Sequence, residues 1–451
     1  MAATRATSRI SSGRSADTRT VGTEDGLSFS GADTTVHALP NGVRLVTIEC
    51  PHLCTANVSV FVRAGSQHES RRLAGISHVV EHMAFKGTAS RSCQRINLDA
   101  ERLGAEVNAH TDKDHTAFHI DGLAQDAPAF VRMLADIVRN GIFPADELER
   151  ERQVILHELA DDEDDAVATG FKLFDRVCWS SHPMGRAVIG TRRTIEAFTR
   201  NDLLAHVQRH YRGGNVVVGV AGAINPKAIQ TVVQDAFGSM VEGVTPAVVA
   251  PAWHGGLKTR RLAGSHQTHV VLGWQIPSAT DAPEAAMLAA ALFGEGMSSP
   301  LIDELREKRA LAYHVGCSAD VNGLCGQFVI EASTGPKQVE EFLTQVQRLL
   351  QQHAAKVDRI GLQRARNQLA VRALRGLERP GWRLEAAALD LYTHGSVRTA
   401  QEKQARLQAV TGTQVRRALQ RMIDTPAALA LTGRVGAGAL QAGRALAGGE
   451  P

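Results

Sequence analysis

The same order of predicted elements occurs twice along this chain, and this repeat limits the possible folds more than any other feature. In the first half, alternating apolar and polar residues predict strands in NGVRLVTIE (41–49) and ANVSVFVRAG (56–65), which we expect to pair with each other. A second hairpin (105–121), several helices and a buried strand, NVVVGVAG (215–222), complete this half.

The second half repeats this order more loosely. It begins with the strand THVVLGWQI (268–276), continues through helices and a hairpin (313–331), and ends with the strand PAALALTG (426–433). We therefore predict an internal duplication of an α+β unit of roughly 200 residues.

Changes in composition set the predicted domain boundaries. The segment MVEGVTPAVVAPAWHGG (240–256) contains Pro and Gly and has little periodicity, so it is the candidate linker. The predicted organisation is a flexible N-terminal tail (1–32), a first domain (33–240), a linker (241–258), a second domain (259–435) and a flexible C-terminal tail (436–451).

Composition excludes several classes of protein. Of the 451 residues, 43% are hydrophobic and 22% are charged, which is typical of a soluble globular protein. The net charge of +3 argues against a nucleic-acid binder, and no apolar run reaches the roughly 18 residues that cross a bilayer. The six cysteines are spread thinly, so we expect reduced thiols. Cys50 and Cys54 could form half of a zinc site, but no second pair follows at a suitable distance.

The N-terminal stretch MAATRATSRISSGRSADTRT lacks the apolar segment of a secretory signal. Its Arg, Ser and Thr content fits a mitochondrial transit peptide, but the whole chain favours Arg and Ala, so a disordered tail explains it as well. We expect a bacterial cytoplasmic protein, with the mitochondrial matrix as the alternative if this stretch is a transit peptide.

The segment GISHVVEHMAFKGT (75–88) carries two histidines and a glutamate among valines, a methionine and a phenylalanine. In a helix, His78 and His82 share one face, and Glu81 lies about 100° away from His82. Three such groups in an apolar helix each need a partner, and one Zn²⁺ ion satisfies all of them. The H-x-x-E-H order is the inverzincin signature.

A catalytic zinc site needs a third protein ligand and an open position for water. The segment DELERERQVILHELADD (146–162) predicts a helix on which Glu151 and Glu158 lie two turns apart, hence nearly on one face. Glu158 lies among apolar residues, which makes it the stronger candidate. Glu151 could also be a solvated charge, and the acidic run DDEDD (161–165) is a solvated surface that could attract basic substrates.

Several longer segments carry a resemblance to a known family. GISHVVEHMAFKGT, GAEVNAHTDKDHTAF and ERERQVILHELADDEDD, in that order, resemble the pitrilysin family of zinc metallopeptidases, and above all its processing-peptidase branch of single chains near 450 residues. SSHPMGRAVIGTRRTI (180–195), HYRGGNVVVGVAG (210–222) and GEGMSSPLIDELREKRALAYHV (294–315) extend the resemblance over most of residues 35–434.

The resemblance implies an α+β fold of two homologous domains, each a mainly antiparallel sheet with helices packed on one face, which together enclose a chamber. It also implies one zinc ion per chain. His78, His82 and Glu158 would bind the ion, Glu81 would be the general base, and Glu151 would support the site.

The same resemblance assigns substrate contacts. Asn108, on an edge strand beside Ala109, would hydrogen-bond the substrate backbone, although Asn is also a common residue at a strand end. Arg306 and Tyr313 of the second domain would hold the substrate near the scissile carbonyl, although they could equally be a surface Arg and a strand Tyr. Pro300 departs from the family, whose members commonly have Arg there; Pro at a helix start is structurally mild.

A second metal cluster is a possible interpretation of the hairpin 105–121. His110, His115 and His119, with Asp112 and Asp114, lie close together in sequence. They sit on alternating faces of a hairpin, and DKDHT resembles the ordinary sequence of the family. We therefore expect no metal there.

The resulting prediction is a zinc endopeptidase that hydrolyses peptides or unfolded segments, such as a targeting presequence, a signal-peptide remnant or a leader peptide. Because the zinc motif and the Arg/Tyr pair occur in one chain, we expect a homodimer, with a heterodimer with a related subunit as the alternative. The competing function is a non-catalytic partner or scaffold subunit of the same family, which predicts eroded zinc residues.

Overall fold

The computed structural model describes residues 33–244 and 246–448, which belong to one compact unit. It contains two sheets. The first is built from β1 (Thr34–Ala38), β2 (Arg44–Glu49), β3 (Thr55–Val62), β4 (Glu106–Thr111), β5 (Thr116–Leu123) and β6 (Val216–Gly222). The second is built from β7 (Gly256–Arg261), β8 (Thr268–Ile276), β9 (Ala312–Val321), β10 (Gly326–Thr334) and β11 (Ala428–Gly433).

Helices connect and cover the strands. In the first half these are α1 (Ile76–Ala84), α2 (Cys93–Glu101), α3 (Ala127–Asn140), α4 (Ala145–Asp164), α5 (Ala166–Trp179), α6 (Arg192–Ala197), α7 (Arg200–His210) and α8 (Pro226–Phe237). In the second half these are α9 (Glu284–Gly294), α10 (Pro300–Ile302, continued as a π-helix over Asp303–Lys308), α11 (Val339–Ala355), α12 (Arg359–Leu377), α13 (Pro380–His394), α14 (Ala400–Ala409), α15 (Gly412–Ile423) and α16 (Ala437–Leu446).

The two sheets repeat one topology. The first has the order β1-β2-β6-β3-β5-β4 and the second the order β7-β11-β8-β10-β9. In the first sheet, the last strand of that half, β6, pairs in parallel with β2. In the second sheet, the last strand, β11, pairs in parallel with β7. The other strand pairs are antiparallel. The predicted duplication into two α+β units with mainly antiparallel sheets is confirmed.

The prediction that β2 and β3 pair with each other is wrong. β6 lies between them, parallel to β2 and antiparallel to β3. Every residue of β6 is buried, and a strand that is apolar on both faces is stable only in the interior of a sheet. Alternation within β2 and β3 therefore predicted the strands correctly but could not reveal a partner more than 150 residues later in the chain.

The two halves exchange one helix each. The first sheet packs its own helices on one face, while α13 from the second half covers the other face through Leu384, Ala388 and Leu391. In return, α5 from the first half covers the second sheet with Phe174 and Trp179. Each half thus packs its own helices on one face of its sheet, as expected, and one helix from the other half covers the second face and locks the halves together.

Two predicted boundaries differ from the structure. The segment expected to be a linker (241–258) already contains the start of β7 at Gly256. The C-terminal segment expected to be a flexible tail (436–451) contains α16, which packs against α11 and β7 and buries Ala439 and Gly443. The possible transit peptide lies outside the described residues. Across residues 33–244 and 246–448, the helices fall short of the length and apolarity that a bilayer crossing requires.

Candidate metal centre

The start of α1 is fixed by a glycine and a buried carboxylate. Gly75 caps the helix with a φ of 94°, in the left-handed region, and a Cβ atom there would lie 2.6 Å from the carbonyl oxygen of Ile189. The carboxylate of Glu69 accepts hydrogen bonds from the backbone N–H groups of Gly75 (2.7 Å) and Ser77 (2.9 Å). These bonds satisfy donors that a helix N-terminus otherwise leaves free.

One face of α1 packs into the core and the adjoining face carries the functional groups. Val79, Val80 and Met83 are buried against the first sheet and its helices. His78 and His82 lie side by side with their ring centroids 4.6 Å apart, and each side chain is 17% exposed. This is the arrangement that the four-residue spacing predicts.

Glu158 reaches this pair from α4. Its Oε2 atom lies 3.5 Å from His82 Nε2 and 3.9 Å from His78 Nε2. Ligands about 2.1 Å from one tetrahedral ion are about 3.4 Å apart, so the three atoms can surround a single divalent cation. The fold thus brings Glu158 to two histidines that lie up to 80 residues earlier in the sequence. The metal-ligating atoms of the three side chains all lie within 4.8 Å of one another.

The protonation of His78 suits a metal ligand. Burial, and then the neighbouring His82, lower the pKa of His78 to about 4, against a smaller opposing effect of Asp162. The ring is therefore neutral at pH 7, and a neutral imidazole offers a lone pair. His78 Nδ1 is buried and has no hydrogen-bond partner among the described residues.

Glu151 contacts the other ring. Its Oε2 atom lies 3.1 Å from His82 Nδ1, and its Oε1 atom lies 2.6 Å from Lys86 Nζ. A carboxylate that accepts from Nδ1–H leaves the lone pair of Nε2 directed at Glu158. Lys86 was not anticipated from the sequence, because it lies just beyond the end of α1, where helical spacing does not predict the direction of its side chain.

Glu81 lies beside the three donors rather than among them. Its Oε2 atom accepts a 2.6 Å hydrogen bond from Thr111 Oγ1 on β4. Burial raises the pKa of Glu81, and the bond from Thr111 together with the charges of His82 and His110 reduces that rise. Thr111 is a second residue that the sequence analysis missed, because nothing local marks a strand threonine as the partner of a helix glutamate.

Asn108 and Ala109 lie on β4, which is the outer strand of the first sheet. Asn108 is exposed, and its Oδ1 atom accepts a hydrogen bond from the backbone N–H of Ala109 (2.8 Å). Because β4 pairs only with β5 among the described strands, its other edge has no strand partner there, and Thr111, which holds Glu81, lies on the same strand.

Arg306 and Tyr313 lie together on the second half. Arg306 is in the π-helix that follows α10, and its guanidinium lies 5.6 Å from the ring centroid of Tyr313. Tyr313 is 82% exposed at the start of β9. Arg306 also pairs with Glu307 (3.4 Å) on the same π-helix. Pro300 is the first residue of α10, as expected for Pro at a helix start.

The hairpin histidines lie closer together than the alternating faces of a hairpin predict. His110 and His115 lie close together and meet Glu385 of α13, a residue that the sequence analysis did not consider. Asp112 is not part of this group, since its carboxylate accepts from the backbone N–H of Lys113. The three residues form a second cluster of metal-ligating side chains.

Comparison with known proteins identifies the family. Residues 44–192 match the family described as Insulinase (Peptidase family M16), and residues 197–369 match the family described as Peptidase M16 inactive domain. The chain belongs to the M16 peptidase family. The predicted resemblance to this group of zinc peptidases, as a single chain near 450 residues, is confirmed. The first M16 match contains all the metal-ligating candidates of α1 and α4.

Individual relatives match this chain in sequence or in fold. An uncharacterized zinc protease of Mycobacterium tuberculosis is 35% identical over 353 residues, which cover 75% of this chain and 78% of the relative. A protease from Helicobacter pylori has the same fold, with a TM-score of 0.81 at 20% identity, over 89% of this chain and 99% of that one. A chain of complex III from Candida albicans also shares the fold, with a TM-score of 0.79 at 16% identity, over 88% and 95%.

Proposed function

We propose that this M16 protein is a zinc-dependent endopeptidase that hydrolyses peptides or unfolded segments. The observation that carries the proposal is the convergence of His78 Nε2, His82 Nε2 and Glu158 Oε2, with the carboxylate of Glu81 alongside. The relatives named zinc proteases support zinc as the metal. A zinc ion held by these three residues would lower the pKa of a bound water toward about 7 and polarise the substrate carbonyl.

Glu81 is the proposed general base. It takes a proton from the attacking water and delivers it to the leaving amine. Its buried surroundings raise its pKa, which makes it a stronger base than an exposed glutamate, and Thr111 fixes one of its oxygens. Glu151 is a positioning residue, because it contacts His82 and Lys86 rather than the reacting atoms.

The substrate is proposed to bind as an added strand along β4. Such pairing uses backbone groups of the substrate, so the peptide must be extended or locally unfolded. Asn108 and Ala109 supply the contacts at this edge. The acidic run 161–165 follows Glu158 on α4, and the charge of Asp162 acts on His78, so basic residues of a substrate would be attracted to this end of the centre.

Arg306 and Tyr313 are proposed to donate hydrogen bonds to the oxyanion that forms at the scissile carbonyl. Both are exposed or half-exposed and lie on the half of the chain that does not carry the metal ligands. We propose a homodimer in which this pair completes the centre of the partner subunit. The relative described above as a zinc protease comes from a bacterium, which favours a bacterial chain.

The second candidate is a non-catalytic partner or scaffold subunit, which the fold shared with a chain of complex III keeps open. Removal of the metal with a chelator distinguishes the two candidate functions. The purified chain should cleave an unstructured basic peptide, lose activity with a chelator and regain it with zinc, whereas His82→Ala should remain inactive. His52→Ala, at an exposed histidine, is the matched control and should behave as wild type. Zinc-loaded protein without peptidase activity would favour the scaffold.

A further inference from the structure

The second cluster joins the two halves of the molecule. His110 Nε2 lies 3.3 Å from His115 Nε2, and Glu385 Oε1 lies 3.6 Å from the first ring and 3.8 Å from the second. The two carboxylate–imidazole distances are similar to the 3.5 and 3.9 Å of the candidate metal centre on α1 and α4. The histidines belong to the hairpin of β4 and β5, while Glu385 belongs to α13. A helix that is exchanged between the halves thus supplies the third potential ligand.

Both rings are held at their outer nitrogens. Asp114 Oδ1 lies 2.6 Å from His115 Nδ1, and His119 Nε2 lies 3.0 Å from His110 Nδ1. Ser59 Oγ in turn lies 2.8 Å from His119 Nδ1. Ligating histidines almost always have their second nitrogen bonded in this way, because the bond fixes the tautomer and the ring orientation.

The inner nitrogens of both rings lie beside the carboxylate of α13. Asp114 accepts from the Nδ1–H of His115, which fixes the orientation of that ring and leaves its Nε2 atom directed at His110 Nε2 and Glu385 Oε1. The three groups therefore offer one ligand atom each at positions that a single cation can share, and His115 is almost fully buried.

The cluster is separate from the centre on α1. His110 and Thr111 are consecutive in β4, so their side chains point to opposite faces of the sheet. Thr111 contacts Glu81 on the α1 side, whereas His110 faces α13. The side chains of His110 and Glu385 are 40% and 34% exposed, which gives an ion a path from solvent.

We propose that His110, His115 and Glu385 form a second site for a divalent transition-metal ion, with zinc as the best fit. Two imidazoles and one carboxylate suit zinc, while Mg²⁺ and Ca²⁺ prefer oxygen ligands alone. The ion fastens α13 to the β4–β5 hairpin, and through it one half of the chain to the other. The site does not depend on peptidase activity, and it changes the expected content from one zinc ion per chain to two.

Metal content of the full chain tests the site. After dialysis against zinc, the wild type should hold two ions per chain and Glu385→Gln one. Glu378→Gln makes the same change at an exposed glutamate just before α13 and should hold two. A Glu385→Gln chain that binds as much zinc as the wild type would overturn the proposal and leave an ordinary hydrogen-bonded cluster.

A cobalt titration provides a second readout that does not require the first centre. The His82→Ala chain, freed of metal, should bind one equivalent of Co²⁺ and develop visible absorption bands of a tetrahedral site. The double variant His82→Ala/Glu385→Gln should bind none at that concentration. In the His82→Ala chain, Co²⁺ should also raise the unfolding temperature, because an ion that binds only the folded state stabilises it. Absence of bands and of stabilisation in His82→Ala would contradict the proposal.

Discussion

Glu151 Oε2 lies 3.1 Å from His82 Nδ1, while the Nε2 atom of the same ring faces Glu158 at 3.5 Å. One imidazole is thus held between two carboxylates of α4. The first carboxylate sets the tautomer and orientation of the ring, and the second is the proposed fellow ligand.

The Glu151→Gln variant tests that relationship. An amide binds the ring less strongly than a carboxylate and also loses the ion pair with Lys86, so we expect zinc affinity at this centre to fall about 10- to 100-fold. Competition with a chromophoric chelator measures the affinity. Glu149→Gln, at an exposed glutamate of the same helix, should leave it unchanged. Equal affinity in Glu151→Gln and wild type would remove the proposed role of Glu151.

The Glu81→Gln variant separates metal binding from catalysis. Gln cannot accept the proton of the attacking water, so we expect kcat to fall by at least about 100-fold while zinc content stays at the wild-type level. Thr111 can still donate a hydrogen bond to the amide oxygen, so α1 should remain in place. Metal analysis and peptide cleavage on the same sample are the measurements. Wild-type turnover in this variant would exclude Glu81 as the base.

Mixing two inactive variants tests whether the site is shared between subunits. Tyr313→Phe removes an oxyanion donor, and we expect a loss of about 100-fold or more in kcat with unchanged zinc content. If Tyr313 serves the partner's centre, random exchange with Glu81→Gln chains should restore about a quarter of wild-type activity, since half of the dimers then carry one complete site of two. A mixture no more active than its components would indicate that each chain uses its own Tyr313.

Asp136 anchors the loop that follows α1. Its side chain is buried and accepts hydrogen bonds from Thr88 (2.7 Å), Ser90 (2.9 Å) and Asn140 (2.8 Å), and it pairs with Arg91. We expect Asp136→Asn to lower the free energy of unfolding by about 2 kcal/mol, because bonds to a charged acceptor are lost. Urea unfolding measures this. Asp235→Asn, at an exposed position of α8, should change it by less than about 0.5 kcal/mol.

The Asp136 contribution should depend on pH in a defined direction. Burial raises the pKa of Asp136, but the bonds from Asn140, Thr88, Ser90 and Arg91 outweigh it and the net shift is downward. The unfolded chain therefore takes up the proton first as the pH falls. The difference between wild type and Asp136→Asn should be complete above about pH 4 and shrink below it. A difference that grows on acidification would contradict this account.

The acidic end of α4 should influence substrate choice. Asp161 and Asp164 are exposed, whereas Asp165 caps α5 and Asp162 pairs with Lys172. We expect the double variant Asp161→Asn/Asp164→Asn to cleave Arg-rich peptides more slowly and with less salt dependence, and neutral peptides as before. Asp146→Asn/Glu147→Gln, at the opposite end of α4, is the matched control. Salt-independent cleavage of Arg-rich peptides by the wild type would count against electrostatic attraction.

The proximity of the α1 side chains follows from the sequence because their geometry is local. His78 and His82 lie on one turn of helix, and the apolar residues between them predict which face is buried. Glu158 was predicted as a ligand from the amphipathic pattern of a second helix and from the family resemblance. Thr111 and Lys86 were missed, because each is an ordinary residue whose importance depends on a neighbour in space.

Long-range pairing accounts for the errors in the fold. The insertion of β6 between β2 and β3 and the exchange of α5 and α13 both depend on contacts between distant segments. Glu385 shows the same limit at the level of one residue. It is one charge on an amphipathic helix, and only the docking of α13 on the first sheet brings it to His110 and His115.

Anomalous diffraction at the zinc absorption edge, from crystals of the zinc-loaded chain, tests the central claim most directly. We predict a peak about 2.0–2.2 Å from His78 Nε2, His82 Nε2 and a carboxylate oxygen of Glu158, with a further position open to solvent. Crystals of Glu158→Gln should show a much weaker peak there. A zinc-loaded wild-type crystal without density between these three side chains would contradict the proposed metallopeptidase centre.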